Sequence, residues 1–244
     1  MKILIVNPNT TQSMTDKIGE AARAVASPGT EIKAISPEMG PVSIEGYYDE
    51  AFCIPGMLMA MRAHEKEGYD GFIVACADDP GLDAARTGLT RPVIGIAEAA
   101  MHMATLIGQS FSMISTLPAS IPVMTHLTLK YGFERHCKSV RAASFPVLAL
   151  EDPSSDAHTK LEAAIAQCIE QDHPDSIVLG CAGMADLNAA LTVKFGIPII
   201  DGVAAATSLM ESVLRLGLKT SKTNGYVPPR PKPYTGIFKD FGVG

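Results

Sequence analysis

The sequence predicts an α/β fold of two pseudo-symmetric doubly wound parallel-sheet halves, with the functional site in the cleft between them. Six short runs rich in Val and Ile do not alternate with polar residues, which is typical of strands buried on both faces. Helical stretches separate these runs, as in the β-α-β units that build a parallel sheet. One segment also occurs twice, which predicts two similar halves.

The first half begins with the strand KILIV, which runs into a polar turn. Its later strands are bounded by Gly, Asp or Pro, residues that end regular structure, and helices lie between them. The predicted strands of this half cover 2–6, 71–75 and 92–96, and its predicted helices cover 14–26, 50–68 and 98–108.

The second half follows the same order. Its first strand, FSMIS, ends in polar residues and a proline, as the first strand of the chain does. The predicted strands of this half cover 111–115, 175–179 and 197–201, and its predicted helices cover 158–172 and 203–217. We expect the last helix to pack back on the first half.

The repeated segment is centred on a cysteine. DGFIVACADDPGLDAA and DSIVLGCAGMADLNAA align with Cys76 over Cys181, at an offset of 105 residues. A second pair, RPVIGIAEAA (91–100) and IPIIDGVAAA (197–206), aligns at an offset of 106 residues. The small difference between the two offsets indicates one duplicated unit.

The repeat predicts how the chain is divided. Residues 1–105 together with 207–244 form the first half, and residues 106–206 form the second. The proline-rich tail YVPPRPKPYTGIFKDFGVG has two interpretations, an exposed arm that contacts a partner subunit or a poorly ordered terminus.

Composition excludes several classes of partner. The formal net charge is −6 and no stretch is dense in Lys and Arg, so we expect no nucleic-acid partner. No apolar run reaches the roughly 18 residues of a membrane span, so we expect no membrane partner. Glycine motifs for nucleotides and histidine spacings for metals are missing, so we expect no cofactor and no metal. A small molecule is the expected partner.

Five cysteines without a CxxC spacing predict reduced thiols. The start of the chain lacks the apolar region of a signal peptide, and we expect a cytoplasmic protein. Cys53, Cys137 and Cys168 have no counterpart in the repeat and are predicted core residues. His102 is predicted to be packed or solvated.

Cys76 and Cys181 each follow a buried strand and precede a helix. In open α/β sheets, ligands bind at this carboxyl end of the strands. Asp79 and Pro80 are predicted as the N-cap and first position of the helix after Cys76, and Gly183 allows close approach of a ligand to the backbone. A pseudo-two-fold axis would turn both thiols toward one cleft.

Two equivalent acid/base groups that face each other suit racemisation. One group removes a proton from a stereocentre, and the other donates a proton to the opposite face. A thiol, with a reference pKa of about 8.5, can act in both ways. Loss of the proton leaves a carbanion, whose charge moves to the adjacent carbonyl oxygen and is stabilised there by hydrogen-bond donors. Candidate donors are the backbone amides after Cys76 and Cys181 and the hydroxyls of Ser115 and Thr116.

Several motifs together resemble one family: VNPNT near the start, then SIEG, CADDPGLDAAR, STLP, VLGCAGM and IDGV. They are similar to motifs of the aspartate/glutamate/hydantoin racemase superfamily, in its hydantoin and allantoin racemase branch. The resemblance implies cofactor-independent, two-base racemisation at C5 of a hydantoin ring, with Cys76 and Cys181 as the bases. It also implies a homo-oligomer.

The resemblance also implies which residues contact the ring. These are Asn9, Ser115, Thr116 and Gly183. Ala77, Asp78 and Ala182 are predicted contacts because they lie beside the thiols in the sequence. Asn7, Glu45 and Asp201 are further candidates, for which a turn, a helix cap or a strand-end bond is an equally good explanation.

Acidic residues beside the first thiol bear on the substrate. Asp78 and Asp79 would repel a dicarboxylate and suit a neutral ring with N–H donors. The same carboxylates raise the pKa of the thiol, whereas helix amides lower it, and the sequence leaves that balance open. Allantoin is the favoured substrate, because stretches such as IAEAAMHMATL and YGFERHC resemble allantoin racemases.

Other functions remain open at this point. One is racemisation of amino-acid-derived hydantoins with a broad range of side chains. A decarboxylase or cis–trans isomerase with a single cysteine is another, although Cys76 argues against it. From a different class, the chain could be a thiol redox sensor or a binding protein without catalysis.

Overall fold

The computed structural model describes residues 1–242 and contains two parallel four-stranded sheets with flanking helices. The strands are β1 (Lys2–Val6), β2 (Glu31–Ile35), β3 (Gly71–Val74), β4 (Val93–Gly95), β5 (Phe111–Ser115), β6 (Cys137–Ala142), β7 (Ser176–Leu179) and β8 (Ile199–Ile200). The α-helices are α1 (Gln12–Val25), α2 (Tyr47–Glu65), α3 (Leu82–Gly88), α4 (Ile96–Ile107), α5 (Ser120–Tyr131), α6 (Ala157–Asp172), α7 (Asn188–Phe195) and α8 (Gly202–Arg215).

Both sheets have the same topology. Their strand orders are β2-β1-β3-β4 and β6-β5-β7-β8, and every pairing is parallel. The predicted fold class, two doubly wound parallel-sheet halves, is therefore confirmed. In each sheet the strand order reverses at the central pair, and the crevice outside the carboxyl ends of such a pair is where α/β sheets bind ligands.

The central strands have the burial that their sequences predict. Nearly every residue of β1, β3, β5 and β7 is buried, in agreement with their unalternating apolar runs. Strands β2 and β6 are not predicted from the sequence; they lie at sheet edges and are half-exposed. Their sequences, EIKAI and CKSVRA, carry charged residues because an edge strand keeps contact with water.

Asp79 does not have its predicted role as the cap of its own helix. It adopts a φ of +43°, and α3 begins three residues later. Its carboxylate instead accepts hydrogen bonds from the backbone N–H groups of Ala97 and Glu98 in α4, at 3.1 and 2.9 Å. Because β3 and β4 are parallel neighbours, the loop after β3 lies beside the start of α4. The prediction that Asp79 caps α3 is therefore wrong, because its carboxylate caps α4.

The last helix returns to the first sheet. Helix α8 packs against α1, α4 and β3, and its Glu211 accepts hydrogen bonds from the backbone N–H and hydroxyl of Ser27 at 2.9 and 2.7 Å. The division into residues 1–105 plus 207–244 and 106–206 stays a prediction.

The tail after α8 is mostly exposed and runs over α2 and α3. Tyr226 donates a hydrogen bond to Asp83 of α3 at 3.0 Å, and Arg62 of α2 donates to the carbonyl of Phe241 at 3.1 Å. The tail is thus attached to the first half as far as residue 242. The last two residues of the predicted arm, 243 and 244, lie outside the described residues.

Cys53 and Cys168 are fully buried, as predicted. Cys137 is only half-buried because it begins the edge strand β6. The exposed His102 packs edge-on against Phe133, with ring centroids 4.9 Å apart. Across residues 1–242, no helix has the length and apolar character needed to cross a membrane, and no cluster of His, Cys, Asp and Glu has the make-up of a metal site.

Candidate active site

A cleft lies at the carboxyl ends of the central strands. It brings together eight of the predicted site residues: Asn7, Asn9, Cys76, Ala77, Asp78, Thr116, Cys181 and Ala182. Six further residues complete the lining: Met14, Ile44, Ala75, Ser120, Val147 and Gly180. Its lining combines apolar side chains with a few polar groups, as the lining of a small-molecule site does.

The two repeated cysteines occupy equivalent positions in the two sheets. Cys76 lies at the end of β3 and Cys181 at the end of β7, and both line the cleft. Both are partly exposed, whereas the neighbouring Ala75, Ala77 and Ala182 are at most 5% exposed. Each cysteine is therefore more exposed than the residues on either side of it.

Burial controls the acidity of both thiols. It raises the pKa of Cys181 to about 12 and that of Cys76 well above its ordinary value, and the negative charge of Asp78 raises both pKa values further. The backbone N–H groups of Asp78 and Gly183 act in the opposite direction, each on one thiol. Burial and the carboxylate thus outweigh the amides, and the pKa of each thiol lies above its ordinary value.

The loop after β1 presents an amide to the cleft. Asn7 donates through Nδ2 to Asn9 Oδ1 and to Thr15 Oγ1, each at 2.9 Å. Asn9 Oδ1 also accepts from the backbone N–H of Thr11 at 2.9 Å. The side-chain oxygen of Asn9 is thereby occupied. Its Nδ2 donates to Met14 Sδ at 3.2 Å, which leaves its second N–H for another acceptor. Asn7 lines the cleft and also holds the turn through these hydrogen bonds.

Adjacent hydroxyls at the end of β5 differ in position. Thr116 lines the cleft, whereas Ser115 does not. Ser115 Oγ is buried and has no hydrogen-bond partner among residues 1–242. Ser120, the first residue of α5, supplies a second hydroxyl to the lining.

Three other predicted residues, Gly183, Glu45 and Asp201, are not among the residues that line the cleft. A Cβ at Gly183 would lie 3.1 Å from Leu150 Cδ1 and 3.6 Å from Cys181 Sγ, so this position is close to the thiol and tightly packed. Glu45 accepts a hydrogen bond from the backbone N–H of Val147 at 2.9 Å and so joins two walls of the cleft. Asp201 caps α8 by accepting from the N–H groups of Val203 and Ala204 at 3.0 and 2.8 Å.

Asp78 is the buried carboxylate of the cleft. It is 4% exposed, and its Oδ2 has no hydrogen-bond partner in the described part of the chain. Burial raises the pKa of Asp78 to about 7, and the charges of Glu50 and Asp79 add to the effect. Asp79 is fully hydrogen-bonded by comparison, because Tyr131 Oη also donates to it at 2.8 Å.

Some lining residues could have been found from the sequence. Ala75 and Gly180 precede the two cysteines at the same offset of 105 residues, so the repeat already pairs them. Ile44 and Val147 come from segments outside the sheets and carry no such signal, and Ser120 begins a helix that the sequence analysis does not predict.

Two similar sheets with equivalent cysteines at one cleft are the arrangement expected of a racemase, an enzyme of the isomerase class. The family described as Asp/Glu/Hydantoin racemase matches residues 3–210. The chain belongs to this family, which confirms the resemblance found in the sequence.

The chain matches relatives over nearly its whole length. The chain is 46% identical to a hydantoin racemase of Rhizobium meliloti over 236 residues, which cover 97% of this chain and 98% of that protein. The structure matches an allantoin racemase of Klebsiella pneumoniae with a TM-score of 0.96 and 46% identity, over 99% of each chain. An allantoin racemase of Pseudomonas fluorescens matches with a TM-score of 0.93 and 38% identity, over 97% of this chain and 100% of that chain.

Proposed function

We propose that this racemase interconverts the enantiomers of 5-substituted hydantoins, with allantoin as the preferred substrate, and that Cys76 and Cys181 are its two bases. One observation carries the proposal: the repeated cysteines are partly exposed at equivalent strand ends of a single cleft. Relatives named hydantoin racemase and structures named allantoin racemase support the substrate class.

The reaction needs one thiolate and one thiol. The thiolate removes the C5 proton, the electron pair moves into an enolate at the adjacent ring carbonyl, and the opposite thiol donates its proton to the other face of C5. A raised pKa makes each thiolate a stronger base, while the thiol form stays available as an acid. No cofactor or metal takes part in this scheme.

Donors for the ring carbonyls come from several elements. We assign Asn9 Nδ2, the Thr116 hydroxyl and the backbone N–H groups after the thiols, at Ala77 and Ala182, to these oxygens. Asp78 accepts a hydrogen bond from a ring N–H. Ser115 and Gly183 support the lining without contacting the ring. The surrounding loops and helix are held by Asn7, Glu45 and Asp201.

Polarity of the lining favours a neutral polar substrate. No Lys, Arg or His side chain is found among the lining residues described for this cleft, so a substrate carboxylate has no cation to pair with. Asn9, Thr116 and Ser120 supply polar contacts that match the ureido group of allantoin better than a benzyl group.

Circular dichroism with each enantiomer of allantoin and of 5-benzylhydantoin, without added cofactor or metal, tests the proposal. We expect a higher kcat/KM for allantoin. A higher kcat/KM for the benzyl compound would assign the enzyme to amino-acid-derived hydantoins, and no turnover of either would contradict the proposed reaction.

We also propose a homo-oligomer in the cytoplasm. Exposed apolar side chains on α2, among them Tyr48 at 77% and Phe52 at 59%, support self-association. All five cysteines are free, as a reducing compartment allows. Light scattering of the purified protein tests the assembly, and a monomer at micromolar concentration would contradict it.

A further inference from the structure

After each turnover of a two-base racemase, the two thiols have exchanged their protonation states. If Cys76 removes the substrate proton and Cys181 donates its own, the product leaves behind a Cys76 thiol and a Cys181 thiolate. A second molecule of the same enantiomer needs the opposite arrangement. The empty cleft must therefore return a proton from one thiol to the other before the next turnover.

Asp78 lies where such a transfer can take place. It lines the catalytic cleft with both thiols, and it also lines a second cleft that Glu50, Asp83 and Lys130 share. Its Oδ2 is buried without a hydrogen-bond partner in residues 1–242, so the atom is free to hold or release a proton.

We propose that Asp78 is a proton-relay residue that resets the two thiols between turnovers. The protonated carboxyl donates its proton to the Cys181 thiolate, and the resulting carboxylate then accepts the proton of the Cys76 thiol. One proton has moved between the sulfurs, and Asp78 has returned to its starting form. The reverse sequence resets the enzyme for the other enantiomer. This role rests on the proposed two-base function and adds to the contact of Asp78 with the ring.

The acidity of Asp78 supports the relay. Burial, with the charges of Glu50 and Asp79, raises its pKa to about 7, so both forms are populated at neutral pH. Its charge acts on both thiols, since it raises the pKa of Cys76 and of Cys181. Asp79 is not available for this task, because two N–H groups and the Tyr131 hydroxyl occupy its carboxylate.

Asp78→Asn separates the relay from other roles. The amide keeps an acceptor oxygen for the ring but cannot carry a proton between the sulfurs. Because resetting follows product release, a slow reset lowers kcat and KM together. We expect both to fall about tenfold or more, while kcat/KM at the optimal pH stays within about threefold of the parent enzyme. Product inhibition should change from competitive to noncompetitive.

The control is Asp83→Asn, the same substitution on an exposed carboxylate that lines only the second cleft. It should leave kcat, KM and the inhibition pattern unchanged. Kinetics with both enantiomers of allantoin in dilute buffer provide the readout. A raised KM at constant kcat in Asp78→Asn would limit Asp78 to ring binding, and an equal loss of kcat and kcat/KM would limit it to positioning; either result overturns the relay.

Asp78→Ala gives an independent test. Formate at tens of millimolar should restore kcat in this variant, because the small acid can occupy the vacated space and carry the proton. Absence of rescue, with formate shown not to inhibit the parent enzyme, would count against the relay. Loss of the two-base function itself would show separately, as full activity in a variant that lacks Cys76 or Cys181.

Discussion

Asp78 should destabilise the folded protein at alkaline pH. Its pKa is about 7 in the folded state and 3.8 in a solvated chain, because burial disfavours the charged form. Between about pH 4 and pH 7, folding is therefore coupled to proton uptake at this carboxyl. Its contribution to the free energy of unfolding is fully present below pH 4 and is lost as the pH rises through 7. A difference of about three pKa units corresponds to roughly 4 kcal/mol of unfolding free energy at pH 8.

Asp78→Asn removes this charge and keeps the shape of the side chain. We expect the variant to be more stable than the parent protein at pH 8, by up to about 4 kcal/mol, and nearly equal to it at pH 4. Asp83→Asn, on an exposed carboxylate paired with Lys130, should leave the pH dependence unchanged.

Urea unfolding at several pH values and one fixed protein concentration measures the effect. The concentration is fixed because self-association would contribute to the apparent stability. If Asp78→Asn is less stable than the parent protein at pH 8, or if the two lose stability equally between pH 4 and pH 8, burial does not raise the pKa of Asp78 as argued.

Two further predictions concern single atoms. Thr116→Val should lower kcat/KM for allantoin by about 5- to 150-fold, since the lost hydroxyl is worth about 1–3 kcal/mol. Ser115→Ala should change kcat/KM by less than about threefold, and equal effects of both substitutions would contradict the assignment. A Cβ at Gly95 would overlap the carboxylate of Asp79, so Gly95→Ala should cost about 2 kcal/mol and lower the Tm by about 4–8 °C. The control Gly88→Ala, where nothing lies within 4 Å of the added methyl, should not lower the Tm in the same thermal scan, and a matching loss would refute the contact argument.

Sequence alone predicted the features that repeat. The cysteine segments share a pattern at a constant offset, so the equivalence of Cys76 and Cys181 and the two-sheet fold follow from it. Edge strands β2 and β6 have no such signal, because their half-exposed sequences resemble loops.

Side-chain direction accounts for part of what the sequence analysis missed. Successive residues at a strand end point to opposite sides, so Ser115 and Thr116 were equal candidates until the structure separated them. Asp79 shows a second limit, since it caps a helix that begins 17 residues further along the chain. A local sequence pattern cannot predict that the start of a distant helix lies beside this carboxylate, because the pairing of neighbouring strands brings the two together.

The single variants Cys76→Ser and Cys181→Ser test the two-base mechanism most directly. Each should lower racemisation of allantoin by about 10²–10⁴-fold or more, because a serine hydroxyl is too weak an acid to replace the thiol. Cys137→Ser, at a half-buried cysteine outside the cleft, is the matched control and should stay active.

Proton NMR in D₂O then follows exchange at C5 for each enantiomer with each variant, corrected for spontaneous exchange. The mechanism predicts slow exchange of one enantiomer by Cys76→Ser and of the opposite enantiomer by Cys181→Ser, because each remaining thiol reaches one face of the ring. Full racemase activity in either variant, or exchange of the same enantiomer by both, would contradict it.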